Sequence, residues 1–188
     1  GWVQLRAPVG EILDLAVDDG GVLYAVIDNN LLVSHLPYDT WSQFSIQAMA
    51  TGITSIAIER LSPFESVLFV GTRTNGVGQV MLVTGWPAQL TFTENRIFSH
   101  VIDIRSSLRS PYIAVAISDP PGLEVSIRPL GTWASVPVPT SVRLTAVSQS
   151  HRSAAILMGS ESGMMRFDGA PPTTSGLDGK HILSLHYG

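Results

Sequence analysis

The sequence predicts an all-β fold built from repeated units of four short strands. Three observations carry that expectation. Each of the four tryptophans (Trp2, Trp41, Trp86 and Trp133) opens a short run that leads through a loop into an apolar, strand-like segment. The intervals between them are 39, 45 and 47 residues, and recurrence at that period marks an internal repeat. The apolar segments are short and β-branched, with Gly, Pro, Asn or Asp between them. No window of about 11 residues holds a helical period.

Each element follows from local chemistry. In the first unit, Ile12–Val17 and Val22–Ile27 are apolar runs around Asp18-Asp19-Gly20-Gly21, whose Asp-Gly and Gly-Gly pairs suit a tight hairpin. Asp28-Asn29-Asn30 turns the chain into Leu31–His35, and Pro37-Tyr38-Asp39 breaks it before Trp41. The second unit places strands at Ile53–Ile58, Ser66–Val70 and Gln79–Val83, with a Gly-rich turn over Gly71–Gly78 and then Trp86. The third has Val101–Ile104, Tyr112–Ile117 and Leu123–Ile127, with Asp119-Pro120-Pro121-Gly122 as a turn, and then Trp133. The fourth has Leu144–Val147, Ser153–Met158 and Gly163–Phe167, turning at Gly159-Ser160-Glu161-Ser162. Its tryptophan is missing near Pro172, and His181–His186 restarts a first-strand pattern.

Four strands per unit at this period is the signature of a β-propeller blade. The first strand of each unit is the most continuously apolar, as an inner strand covered on both faces requires. Each Trp then starts an outer strand, where its apolar face can cover the junction between neighbouring blades. The expectation is a single propeller domain or propeller segment over residues 1–188. It has about four blades, a lone N-terminal strand led by Trp2 and a lone C-terminal strand from His181. Three arrangements finish the last blade: a longer propeller, strands from a second chain, or a two-stranded blade. Unpaired edges invite pairing, which favours the first two.

The stretch Ile53–Val83, with Leu68-Phe69-Val70-Gly71-Thr72 ahead of its Gly turn, is similar to a WD40 repeat in strand order. The Gly-His and Trp-Asp pairs of that family are absent. Ser34 with Thr40-Trp41, and Ser126 with Thr132-Trp133, resemble the outer frame of the Asp-box of sialidase-like propellers. Leu36 and Tyr38, and Arg128 and Leu130, stand where that box has Asp and Gly. The resemblance implies a related hairpin between third and fourth strands. The Asp-box is structural in its own family, so it implies no catalysis.

Composition narrows the function. The chain has 188 residues, 45% hydrophobic and 14% charged, enough apolar content to bury a sizeable core. Net charge is −4 and Lys180 is the only lysine, so no nucleic-acid partner is expected. The absence of cysteine removes thiolate chemistry and zinc-thiolate sites. No apolar run approaches the ~20 residues of a membrane helix. No signal-peptide pattern is visible, which favours an intracellular setting.

No catalytic, cofactor or metal site is expected. His35, His100, His151, His181 and His186 have no ligand-like spacing. Arg60, Arg105 and Arg109 with Tyr112 and Glu124 are the residue types of a sialidase, but do not recur at converging positions. Gly71–Gly78 is followed by a strand, whereas a phosphate loop needs a helix. The candidate binding surface is a rim of turns on one propeller face: Asp28, Asn29, Asn30, Arg73, Asn75, Arg96, His100, Asp119 and Glu161. Met49, Asn95, Phe98 and Ser99 accompany it. The function expected is a non-catalytic protein-interaction scaffold within a larger chain or complex. Its partner is a protein or a second copy, which completes the open blade. A carbohydrate-binding propeller is the alternative, and a sialidase-type glycosidase a distant third.

Overall fold

In a computed structural model the described residues are 9–28, 30–44, 52–74, 76–83, 86–92, 100–107, 109–127, 132–174 and 176–185. They form four antiparallel four-stranded sheets, each folded from consecutive strands. The first sheet holds β1 (Ile12–Val17), β2 (Leu23–Ile27), β3 (Asn30–Ser34) and β4 (Ser42–Phe44). The second holds β5 (Ile53–Arg60), β6 (Glu65–Thr72), β7 (Val77–Val83) and β8 (Trp86–Phe92). The third holds β9 (His100–Ser106), β10 (Ala114–Asp119), β11 (Gly122–Ile127) and β12 (Thr132–Val136). The fourth holds β13 (Leu144–Gln149), β14 (Ile156–Ser160), β15 (Gly163–Phe167) and β16 (Thr173–Thr174). These are the four expected blades, called blades 1 to 4 below.

Register makes the blades comparable residue by residue. Every inner strand slips by one residue against its second strand. The extra residues of these bulges are Leu13, Thr54, Ile102 and Thr145. Ile12, Ile53, Val101 and Leu144 precede them, and Asp14, Ser55, Asp103 and Ala146 follow. A bulge re-aims the side chain it carries, and here it does so at one level of every inner strand.

The core lies between blades. Tyr24 and Val26 of blade 1 pack with Ile56 and Leu68 of blade 2. Phe69 of blade 2 packs with Ile104, Ala116 and Trp133 of blade 3. Val115 and Ile117 of blade 3 pack with Val147, Ile156 and Met158 of blade 4. The Phe69 and Trp133 rings meet edge to face, with centroids 6.3 Å apart. Trp133 thus covers a blade junction, as expected of a repeat marker. The side chain of Trp86 and all of Trp2 lie outside the described residues.

Polar bonds cross the same junctions. Asp14 accepts from the Ile56 amide at 2.8 Å, and Asp103 accepts from the Val147 amide at 2.9 Å. Blade 2 has Ser55 in their place, and there the Ser106 hydroxyl donates to the Ile58 carbonyl at 3.1 Å. Arg105 lies 3.2 Å from Asp103 and 4.0 Å from Asp14, so one guanidinium touches both bridging carboxylates.

Three details depart from expectation. The second strand of blade 4 begins at Ile156, because the Ser150 hydroxyl accepts from the Arg152 and Ser153 amides and holds residues 150–155 in a loop. The same blade keeps a short fourth strand, Thr173–Thr174, without its tryptophan. Residues 181–185 do not form the expected C-terminal strand, since among the described residues no second strand lies beside them to complete a ladder, and His186 lies outside the described residues. They still occupy an inner-strand place. A Cβ on Gly71 would lie 2.6 Å from Val101, and one on the register-equivalent Gly159 would lie 2.7 Å from Ile182. Ile182 therefore sits against blade 4 as Val101 sits against blade 2. The Ile182 amide donates to the Ser160 carbonyl at 3.0 Å, and the Thr145 hydroxyl donates to the Ile182 carbonyl. The lone strand led by Trp2 lies outside the described residues.

The frame Ser34 to Trp41 closes as a hairpin, with the Ser34 hydroxyl donating to the Thr40 carbonyl at 2.6 Å. The centre of the second frame, including Arg128 and Leu130, lies outside the described residues. The packing generates one stability prediction. Phe69→Ala empties the junction of blades 2 and 3 and lowers the unfolding free energy by about 3–5 kcal/mol, measured by urea denaturation.

Candidate functional site

The rim is built by a repeated pair. The residue leading into each inner strand lies beside the residue leaving the second strand of the same blade. In blade 1 the pair is Glu11 and Asp28. The Asp28 amide donates to the Glu11 carbonyl at 3.3 Å, and the Glu11 amide donates to the Asp28 carboxylate at 3.2 Å. In blade 2 it is Gly52 and Arg73, whose amide donates to the Gly52 carbonyl at 2.9 Å. Gly52 leaves room for the Arg73 side chain, since a Cβ there would lie 3.0 Å from the Arg73 Cδ. In blade 3 His100 pairs with Asp119 across the ladder. In blade 4 the Glu161 amide donates to the Arg143 carbonyl at 3.2 Å, and the Arg143 guanidinium lies 3.2 Å from the Glu161 carboxylate.

Blades 2, 3 and 4 and residues 181–183 enclose an open cavity of about 360 Å³ at this rim. Its wall carries the rim residues His100, Asp119, Arg143 and Glu161, joined by His181. Its floor carries the bulge residues Thr54, Ile102 and Thr145 and their register equivalent Leu183, with Val101 and Leu144 beside them. The repeat thus turns one strand level into a lining. Thr54 has a buried hydroxyl without a hydrogen-bond partner among the described residues.

Of the rim residues expected from the sequence, His100, Asp119 and Glu161 come together in this cavity. Asp28 and Arg73 hold the same register in blades 1 and 2 but do not line it. Asn30 is engaged locally, accepting from the Gln43 amide at 2.8 Å and donating to the Asp28 carbonyl at 3.1 Å. Asn29, Asn75 and Arg96 lie outside the described residues, as do Met49, Asn95, Phe98 and Ser99. Arg143 was not singled out in the sequence, although it stands at the entry to its inner strand as His100 does. The bulge residues were equally hidden, because a one-residue slip has no composition signal.

The residue types of a sialidase are dispersed. Arg60 donates to the Ser62 and Pro63 carbonyls at 3.2 and 2.9 Å. Arg105 joins the inner aspartates, and Tyr112 packs against Phe167 with centroids 6.2 Å apart. Arg109 is exposed on a turn. Glu124 is buried in β11, where burial raises its carboxyl pKa above the ordinary value and a hydrogen bond with Ser135 partly offsets the rise. Its Oε2 has no partner among the described residues. Asp103 is also raised, first by burial, against the lowering effect of Arg105 and of the Val147 amide. The buried Trp133 offers no stacking platform for a sugar.

No family model matches the chain, and no curated protein matches it. Solved structures do. The RRP9 WD40 repeats align with a TM-score of 0.69 at 9% identity, covering 90% of this chain and 52% of that one. The β-propeller domain of Cps50 (Swd1) from Myceliophteria thermophila aligns at 0.63 and 12% identity, covering 94% and 58%. YCF48 from Cyanidioschyzon merolae aligns at 0.61 and 15% identity, covering 82% and 49%. The fold is that of a β-propeller. The chain spans about half the length of the structures it matches.

Glu124 generates a pH prediction. A carboxyl whose pKa is raised on folding favours the folded state fully below its ordinary value of 4.5, and that contribution is lost as pH rises through the raised value. Glu124→Gln removes the buried charge. The variant should be more stable than the parent at pH 7, with the gain shrinking as pH falls toward 4.5, as read from urea midpoints across that range.

Proposed function

We propose that the chain is a non-catalytic protein-interaction scaffold. It forms a single propeller domain or segment that a protein partner covers along its open side, with the rim turns as the recognition surface. The observation that carries this reading is the face of β1. Ile12 and Leu15 are 48% and 50% exposed, whereas their register equivalents Ile53 and Ile56 are 4% and 1% exposed. Val101 and Ile104 in blade 3 are fully buried, as is Val147 in blade 4. In blades 2 to 4 the preceding blade covers these positions. Blade 1 keeps the same apolar pattern with Leu13 and Val17 also exposed, and a contiguous apolar surface of this kind marks an interaction site.

The partner's contribution follows from the repeat. Residues 181–185 hold the inner-strand place of a further blade, and its second and third strands come from the partner. Backbone pairing supplies affinity in such strand addition, and alternating side chains supply specificity. The half-length alignment to longer propellers supports the same reading.

The chain has no cysteine, so one introduced thiol reports on one place. Leu15→Cys in this chain should be labelled by a maleimide in purified material and protected in its native cells. Leu36→Cys, exposed on the hairpin of blade 1, should react equally in both. Equal labelling of Leu15→Cys in the two settings would sink the reading.

A further inference from the structure

The rim cavity has a chemistry of its own. Its floor is apolar, from Val101, Ile102, Leu144 and Leu183, and its wall is charged. Two carboxylates line that wall, Asp119 and Glu161, against one fixed cation, Arg143. Arg143 is already paired, with its Nη1 3.2 Å from the Glu161 Oε1. Asp119 makes no side-chain hydrogen bond or ion pair among the described residues. With the histidines counted neutral at pH 7, the wall carries one uncompensated negative charge.

We propose that this cavity receives a lysine or arginine side chain of a protein partner. Long cationic side chains lay an aliphatic stem along apolar surface and keep the charged head in a polar setting. Here the stem lies over Ile102, Leu144 and Leu183, and the head meets Asp119. Hydrogen bonds between a cationic head and a carboxylate are stronger than neutral ones, and the cavity volume of about 360 Å³ falls in the range of ordinary binding pockets. An anionic ligand would face Asp119 and would have to take Arg143 from Glu161. The inference deepens the scaffold reading and rests on it for the protein nature of the partner. The cavity and the β1 face are tested separately, so either can fail alone.

The test is an amide-resolved NMR titration of the full chain. The probes are N-acetyl-arginine amide and N-acetyl-lysine amide, with N-acetyl-norleucine amide as the uncharged counterpart and N-acetyl-glutamate amide as the opposite charge. The cationic probes should give saturable shifts at Thr54, Ile102, Asp119 and Thr145. Norleucine should bind about tenfold more weakly and glutamate not at all. Asp119→Asn, at an exposed strand end, should weaken the cationic probes about tenfold while the rest of the spectrum is preserved. Glu161→Gln, which frees Arg143, should weaken them as well. Binding of the glutamate probe at least as tight as arginine, or arginine shifts that Asp119→Asn leaves unchanged, would overturn the proposal.

Discussion

Each inner strand is the edge of its blade, so alternate amides point away from the second strand and have no partner within the blade, and burial makes such an orphan costly. Asp14 and Asp103 answer this demand. Each stands just after a bulge and accepts from the next blade's inner strand, at Ile56 and Val147. Arg105 of blade 3 then ties both carboxylates together, 3.2 Å from Asp103 and 4.0 Å from Asp14. A charge buried this way is tolerated because it is both paired and hydrogen-bonded. The apolar contacts between blades are non-directional, whereas these bonds set which residue of one inner strand faces which residue of the next.

That register has consequences further out. Because every inner strand starts at the same level, the residues that lead into it and leave its neighbour stack into a rim. His100, Asp119, Arg143 and Glu161 are drawn to one cavity by this common level. The same alignment shows what blade 1 lacks. Its inner strand carries the apolar pattern of the others but has no blade in front of it among the described residues. The architecture thus supplies two different surfaces, the exposed apolar face of β1 and the charged wall of the rim cavity.

Much of the fold was legible because strand signals are local. Ile12–Val17 and Gly163–Phe167 were bounded correctly from apolar runs and flanking turn residues. The Asp119-Pro120 and Glu161-Ser162 turns marked rim positions that do line the cavity. Trp133 read correctly as a junction residue, since its spacing repeated. The parts that escaped depend on pairing. Ser153–Ala155 has strand-like neighbours, yet serine hydroxyls capture the local amides and delay the strand. Nothing local to Asp14 and Asp103 says that their carboxylates reach an adjacent blade. The single-residue slips at Thr54, Ile102 and Thr145 are likewise set by the ladder and not by composition.

The central claim is that inner-strand carboxylates stitch successive blades. Native-state hydrogen exchange of the Ile56 and Val147 amides tests it directly, comparing the parent with Asp14→Ala and Asp103→Ala. The account predicts that Asp14→Ala speeds exchange at Ile56 selectively and leaves Val147 protected, with the converse for Asp103→Ala. Unchanged protection of Ile56 in Asp14→Ala and of Val147 in Asp103→Ala would contradict it.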